Sequence, residues 1–218
     1  MRGSDGNVDL EVDVFAAGEH LSGHLTVPDG SGGIVIFAHG SGSSRHSNRN
    51  RRVAETLNHA GLATLLFDLL TYDEEINRSN VFDIDLLGGR LRDTTRWLRG
   101  HEAAQGLQVG YFGASTGAAA ALWAAADLGE EVSAIVSRGG RPDLAGPRIP
   151  DVRAPTLLIV GSRDRQVLKL NRSAQAKLKC ENRLEVVPGA THLFEEPGAL
   201  DVVAELAQDW FIQHILEN

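Results

Sequence analysis

The chain has 218 residues and a formal net charge of −8, with 42% hydrophobic and 23% charged residues. That length and composition suit a single well-packed domain and exclude a wholly disordered chain. The acidic balance argues against a general nucleic-acid-binding protein, and no apolar run approaches the ~18 residues of a membrane span. We therefore expect one domain over residues 1–218, with a flexible N-terminus at residues 1–7.

The single cysteine, Cys180, bears on compartment and metal content. One cysteine can form neither an internal disulfide nor a multi-cysteine zinc site. The first seven residues hold no apolar segment or cleavage site of a secretory signal. We therefore expect a cytoplasmic protein, and we place Cys180 in a helix, where it does no chemistry.

The first elements are predicted from alternation along the chain. Apolar and acidic residues alternate from Val8 to Val14, and a similar pattern runs from Leu21 to Val27 beyond a turn at Ala17-Gly18-Glu19. Such alternation is typical of a strand with one wet face. The two segments predict an antiparallel hairpin.

Beyond Pro28 the pattern changes to continuous apolar runs separated by helical periodicity. Such runs are typical of strands covered on both faces. The predicted strands are Ile34 to Ala38, Leu62 to Phe67, Val109 to Phe112, Val132 to Val136, Thr156 to Val160 and Leu184 to Val187. The predicted helical segments are Val53 to Ala60, Ile84 to Leu98, Gly117 to Leu128 and Val203 to Phe211. This order predicts an α/β fold, with a mostly parallel sheet, an N-terminal antiparallel hairpin and helices on both faces.

Two irregular segments, Thr71 to Asn80 and Arg138 to Asp151, each follow an apolar strand. They should lie at the carboxyl edge of the sheet, where open α/β sheets bind their ligands. We expect substrate specificity to reside in these loops.

The segment Gly113-Ala114-Ser115-Thr116-Gly117 follows a predicted strand and precedes an alanine-rich helix. This is the strand–turn–helix setting of a G-x-S-x-G nucleophile elbow. So tight a turn strains its central residue and requires neighbours with little side chain. Ser115 is therefore the predicted nucleophile, at the positive end of a helix dipole. The alternative is a glycine-rich turn with no chemical role.

A serine nucleophile needs a general base that is itself held by an acid. Behind such an elbow the chain order is serine, acid, histidine. Asp164 and His192 each come just beyond the end of a predicted strand, so both should reach the edge at which Ser115 emerges. We predict that Asp164 is the acid and His192 the base. The alternatives are a helix N-cap for Asp164 and a surface loop position for His192.

The segment His39-Gly40-Ser41-Gly42 follows the first strand of the parallel set. An oxyanion hole at such an elbow takes one backbone N–H from the residue after the nucleophile and one from this loop. The predicted donors are therefore Thr116 and Ser41. His39 is predicted to brace the loop rather than to transfer a proton.

These segments together resemble the α/β-hydrolases, and specifically the serine-bearing members of the dienelactone hydrolase-like family. The resemblance rests on FAHGSGSS (37–44), GYFGASTG (110–117), SRGGRPDL (137–144) and THLFEEPG (191–198). It implies the α/β-hydrolase fold, ester-type acyl transfer without a cofactor or metal, and a nucleophile, acid and base at Ser115, Asp164 and His192. Dienelactone hydrolases themselves carry a cysteine at the elbow, where this chain has a serine.

Arg138 and Arg141 follow a predicted strand beside the expected site. Arginine can bind a carboxylate through two parallel hydrogen bonds, so both are candidates for binding substrate. Alternatively, they fasten the proline-rich segment to acidic neighbours such as Asp143. Four further arginines share the segment after the oxyanion loop, which we interpret as the solvated start of a helix. They are Arg45, Arg49, Arg51 and Arg52.

The sequence thus predicts a serine hydrolase of small esters, lactones or thioesters. Its expected partner is a small-molecule acyl substrate rather than nucleic acid or a membrane. Two alternatives stay open, because the same triad serves amidases and peptidases, and because a fold alone does not fix a function. A probe that reacts with catalytic serines would distinguish the last alternative from the enzymes, because it would not label Ser115 of a non-catalytic ligand-binding protein.

Overall fold

The structure, a computed structural model, describes residues 7–217. The expected flexible terminus at residues 1–7 lies, apart from Asn7, outside the described residues. The strands of the described part are β1 (Val8–Ala16), β2 (Glu19–Val27), β3 (Gly33–Ala38), β4 (Ala63–Phe67), β5 (Gln108–Ala114), β6 (Ala134–Arg138), β7 (Thr156–Gly161) and β8 (Asn182–Val187).

Helices fill the connections between these strands. The α-helices within residues 7–217 are α1 (Asn48–His59), α2 (Tyr72–Ile76), α3 (Ile84–Arg99), α4 (Thr116–Leu128), α5 (Arg165–Gln175) and α6 (Ala199–Phe211). Short 3₁₀ segments lie at Asn80–Phe82, Glu102–Ala104, Gly129–Glu131 and Pro142–Asp151, and a π-helical turn at Ile212–Leu216 follows α6. None of these helices combines the length and apolar character needed to cross a bilayer.

The strands form one sheet in the order β1-β2-β4-β3-β5-β6-β7-β8. β2 pairs antiparallel with both β1 and β4, and every pair from β4 to β8 is parallel. From β3 the chain moves to β4 on one side, and β5 then pairs with the other side of β3. This reversal places a crevice at the carboxyl ends of β3 and β5, where open α/β sheets bind ligands.

Helices cover both faces of the sheet, as the alternation of β3 shows. Ile34 and Ile36 belong to a core that includes residues of α3 and α4. Val35 and Phe37 belong to a second core that includes residues of α1 and α6. Since both faces are buried, the strand reads as a continuous apolar run. The predicted α/β-hydrolase architecture, with its N-terminal hairpin, is confirmed.

The prediction that Cys180 lies in a helix is wrong. α5 ends at Gln175, and Cys180 sits in a bend two residues before β8, because the chain needs this stretch to re-enter the sheet. It is half-buried, and burial raises the pKa of its thiol. A raised pKa lowers the thiolate fraction and hence the reactivity of this cysteine.

Candidate active site

Ser115 lies between β5 and α4, at the N-cap of the helix, with φ 51° and ψ −119°. This backbone region is strained for a residue with a side chain. A Cβ added at Gly113 would lie 2.5 Å from the Cα of Ala118, and one at Gly117 would lie 2.1 Å from the carbonyl oxygen of Ala38. The two glycines of the motif are therefore steric requirements of the turn that presents Ser115.

Two backbone hydrogen bonds hold this turn against the end of β6. The N–H of Ser115 donates to the carbonyl oxygen of Arg138 at 3.2 Å, and the N–H of Arg141 donates to the carbonyl oxygen of Ser115 at 3.0 Å. With both of its backbone groups bonded, the strained residue has little freedom to relax. The turn that carries the serine side chain is thus fixed by the end of β6 and by the segment that follows it.

Asp164 and His192 meet at the ends of β7 and β8. Oδ2 of Asp164 lies 2.6 Å from Nδ1 of His192, while Oδ1 accepts a 3.4 Å hydrogen bond from the N–H of Val167 as the N-cap of α5. The aspartate therefore fills both positions that the sequence suggested. Because a carboxylate only accepts, a neutral imidazole in this contact carries its proton on Nδ1 and leaves Nε2 as an acceptor.

His192 and Ser115 line one cavity of about 270 Å³. The imidazole lies over Gly139, where an added Cβ would come within 3.5 Å of the ring and 3.1 Å of the His192 carbonyl oxygen. The side chain of His192 is 40% exposed and that of Asp164 is 15% exposed. The structure thus brings the three predicted residues to one edge, with the acid covered and the base open to the cavity.

His39 connects the oxyanion loop to the loop after β4. Its Nδ1 lies 3.0 Å from the carbonyl oxygen of Gly40 and its Nε2 lies 3.0 Å from the backbone N of Leu69. A carbonyl only accepts and a backbone N–H only donates, so His39 is neutral with its proton on Nδ1. Burial lowers the pKa of His39 and keeps it in this form. These contacts are those of a brace.

The two predicted oxyanion donors are in contact with each other. The backbone N–H of Ser41 donates a 3.0 Å hydrogen bond to Oγ1 of Thr116. The backbone N–H of Thr116 belongs to the first turn of α4, where amides have no partner within the helix. Ser41 lines the cavity with Ser115, and its amide is held by the Thr116 side chain. Thr116 directly follows Ser115 and is buried in the first turn of α4.

The two arginines that sequence analysis singled out lie in different surroundings. Arg138 is buried and lines the cavity with Ser115. Arg141 donates to Asp143, from Nε to Oδ1 at 2.9 Å and from Nη2 to Oδ2 at 2.8 Å. Its side chain does not line the cavity, and the contact with Asp143 is the alternative that the sequence left open.

Sequence analysis does not identify two residues of α1 at the site. Arg49 lines the cavity, and buried Asn50 accepts a 3.4 Å hydrogen bond at Oδ1 from Nη2 of Arg138. The sequence interpretation placed Arg49 in a solvated helix start. α1 begins soon after the oxyanion loop, so its first turn must lie near the same edge of the sheet. This short spacing is the sequence feature that could have indicated residues of α1 at the site.

A larger depression, of about 910 Å³, lies at the amino edge of the sheet between Leu128 and Cys180. It is far along the strands from Ser115, and its lining carries Asp127, Glu130 and Glu131 without a histidine or serine. Among residues 7–217, no group of three or more His, Cys, Asp or Glu side chains is arranged to hold a metal ion. The smaller cavity is the candidate active site, because it alone of the two combines a nucleophile with a base.

Comparison with known proteins agrees with this architecture. Residues 21–214 match the model of the dienelactone hydrolase family. A dienelactone hydrolase from Anabaena variabilis is 54% identical, covers 96% of this chain and 99% of its own, and superimposes with a TM-score of 0.93. Est1E from Butyrivibrio proteoclasticus shares the fold at 16% identity, covering 94% of this chain and 99% of its own with a TM-score of 0.81.

A curated relative from Mycobacterium tuberculosis, provisionally named phosphoribosyl transferase, is 64% identical over 207 residues. The matched region is 95% of this chain but 47% of that protein. The chain therefore spans about half the length of the curated relatives that carry this name.

Proposed function

We propose that this chain, which belongs to the dienelactone hydrolase family, is a serine hydrolase that cleaves an ester, lactone or thioester of a small acyl substrate. The observation that carries the proposal is the 2.6 Å hydrogen bond from Nδ1 of His192 to Oδ2 of Asp164. It leaves Nε2 as the acceptor at a cavity that Ser115 also lines. A general base for a serine needs this tautomer.

In the first half-reaction, Oγ of Ser115 attacks the carbonyl carbon and its proton passes to Nε2 of His192. Asp164 stabilises the imidazolium and keeps the ring oriented. The tetrahedral intermediate collapses as the bond to the leaving oxygen or sulfur breaks, and that atom takes the proton from Nε2. An acyl-Ser115 ester remains.

In the second half-reaction, water attacks the acyl-enzyme and gives its proton to Nε2 of His192. Collapse of the second intermediate returns the proton to Oγ of Ser115 and releases the acid. In both intermediates the oxyanion accepts from the backbone N–H groups of Thr116 and Ser41. The positive end of α4 adds to this stabilisation.

The size of the cavity supports a small substrate. At about 270 Å³ it lies just below the ~300–1,000 Å³ of pockets for drug-sized ligands. A peptidase must bind several residues of an extended chain, which calls for a larger site. An amidase uses the same triad but must expel an amine, which is a poorer leaving group. We therefore favour activated or strained acyl bonds. The name phosphoribosyl transferase belongs to relatives of about twice this length.

The proposal is tested with purified chain, p-nitrophenyl acetate and a fluorophosphonate probe. The wild type should turn over the ester and take up one equivalent of probe. Ser115→Ala should lower turnover at least about a thousandfold and remove labelling, because no other group supplies the nucleophile. A Ser133→Ala variant, altered at the amino edge of the sheet, is the matched control and should behave as the wild type.

Turnover in Ser115→Ala equal to that in Ser133→Ala would contradict the proposal. A wild type that binds esters without hydrolysing them, and that resists the probe at every pH from about 6 to about 9, a range that spans the ordinary pKa of an imidazole, would instead indicate a ligand-binding protein.

A further inference from the structure

The cavity beside Ser115 contains a buried cation without a matching anion. Arg138 leaves β6 at its carboxyl end, is 7% exposed and lines the cavity. Within residues 7–217 its guanidinium has one hydrogen bond, at 3.4 Å to the neutral amide of Asn50, and its Nε has no partner. None of the ion pairs in the described part of the chain includes Arg138.

A second cation lies next to it. Arg49 lines the same cavity, and its one ion pair among the described residues, at 3.3 Å, is with the exposed carboxylate of Glu195. Burial first, and the charge of Arg49 second, lower the pKa of Arg138 to about 10. At neutral pH Arg138 is therefore still charged, and its charge and that of the Arg49 guanidinium repel each other inside a partly enclosed space.

Other covered arginines in this protein have acidic partners. The guanidinium of Arg90 pairs with Glu74, and that of Arg45 pairs with Asp68. A buried charge without a counter-ion is unfavourable, and proteins normally pair it. The exception at Arg138 coincides with the cavity that holds Ser115 and His192, which indicates that the missing anion comes from outside the chain.

We propose that Arg138 and Arg49 form a subsite for an oxyanion group, carboxylate or phosphate, that the acyl substrate carries in addition to the bond that is cleaved. The proposal rests on the proposed hydrolase function and names the substrate class for it. Since the cavity measures about 270 Å³, the anion and the scissile carbonyl lie only a few bonds apart. Monoesters of short dicarboxylic acids, or their phosphonate counterparts, have this shape.

Three methyl esters of similar length test the subsite: methyl butyrate, monomethyl succinate and methyl 3-phosphonopropionate. We expect the wild type to hydrolyse one or both anionic esters with a kcat/KM at least about tenfold above that of methyl butyrate, because charge-assisted bidentate hydrogen bonds reward the anion. The carboxylate and phosphonate arms distinguish the two sources of the oxyanion.

Variants then locate the effect. Arg138→Gln should lower kcat/KM for the preferred anionic ester at least about tenfold and change that for methyl butyrate less than about threefold. Arg138→Lys keeps the charge but loses the planar fork, so it should fall between the two. Arg153→Gln, which removes an exposed arginine paired with Glu130 at the amino edge, is the control and should leave all three values unchanged.

Two outcomes would overturn the subsite: equal hydrolysis of the three esters by the wild type, or an equal loss for all three in Arg138→Gln. Failure of the hydrolase proposal is recognised separately, by absence of turnover and of probe labelling in the wild type. In that case calorimetry with succinate and with inorganic phosphate decides the subsite. Binding that Arg138→Gln abolishes supports it, and absence of binding to the wild type overturns it.

Discussion

The side chain of Thr116 contacts the backbone of the loop that holds Ser41. Its Oγ1 accepts the N–H of Ser41 at 3.0 Å, which fixes the peptide plane of the oxyanion loop in the absence of substrate. In the proposed mechanism, this N–H must be shared with the oxyanion, or transferred to it, when the oxyanion forms beside the elbow. We infer that the hydroxyl positions Ser41, the second of the two proposed oxyanion donors.

This role predicts the effect of Thr116→Val, which replaces the hydroxyl with a methyl group of similar size. Without its acceptor the Ser41 peptide loses its orientation, and we expect kcat for p-nitrophenyl acetate to fall about tenfold, less than the ~10²–10³ lost when an oxyanion donor is removed outright. KM should change little, since ground-state binding does not use this amide.

Thr116→Ser restores the acceptor and should recover most of kcat. Full activity in Thr116→Val, or equal losses in both variants, would show that the hydroxyl does not position the amide.

At the scale of elements, His39 fastens the loop after β3 to the loop after β4. Burial lowers its pKa, and this outweighs the opposing effects of the Gly40 hydrogen bond and of the carboxylates of Asp68 and Glu75. Below the unfolded-state pKa of 6.5 the unfolded chain therefore binds a proton that the folded chain excludes. The free energy of unfolding then falls as the pH drops from about 6.5 toward the folded-state pKa.

We expect His39→Gln to be less stable than the wild type at pH 7.5, because the brace is altered, but to lose less further stability between pH 7 and 5. Denaturant unfolding at several pH values measures this difference. His59→Gln, at an exposed position in the last turn of α1, removes a histidine without a brace and should keep the wild-type slope. An unchanged slope in His39→Gln would contradict the assignment.

At the scale of the whole molecule, an unpaired buried charge lowers global stability. Arg138→Met keeps much of the side-chain volume and removes the charge, so we expect the free energy of unfolding to rise by about 1–3 kcal/mol. Arg153→Met, at an exposed position, should change it by no more than about 0.5 kcal/mol. Urea unfolding of the three proteins provides the comparison. A loss of stability in Arg138→Met would mean that the folded protein already compensates the guanidinium.

Much of the fold could be predicted because its central strands are buried on both faces. β3 to β5 and β7 appear as unbroken apolar runs whose bounds agree with the structure to within about two residues. The five-residue helix α2 could not be predicted from the sequence. It lies in a polar segment and is too short to show a helical periodicity of apolar residues. It is stabilised by a capping box between Thr71 and Glu74. Such a box depends on two side chains and not on a repeating pattern of apolar residues.

The candidate site divides in the same way. Ser115, Asp164 and His192 could be proposed because each follows a strand at a known edge, and Asp164 is both helix cap and histidine partner. Arg49 could not, because its place in the cavity depends on the angle at which α1 crosses the sheet. The sequence suggests the same two roles for Arg138 and Arg141. The structure shows that Arg141, and not Arg138, pairs with Asp143.

The double use of Asp164 constrains how this protein can diverge. One carboxylate oxygen caps α5 and the other holds the imidazole, so most replacements would remove a helix cap, worth about 1 kcal/mol, together with the partner of His192. Asn, Ser and Thr would keep the cap while discarding the negative charge. A homologue that has lost catalytic activity and persists as a pseudoenzyme is therefore expected to carry one of these three residues at position 164. Other replacements would also destabilise α5, and selection would disfavour them because less stable proteins are degraded faster.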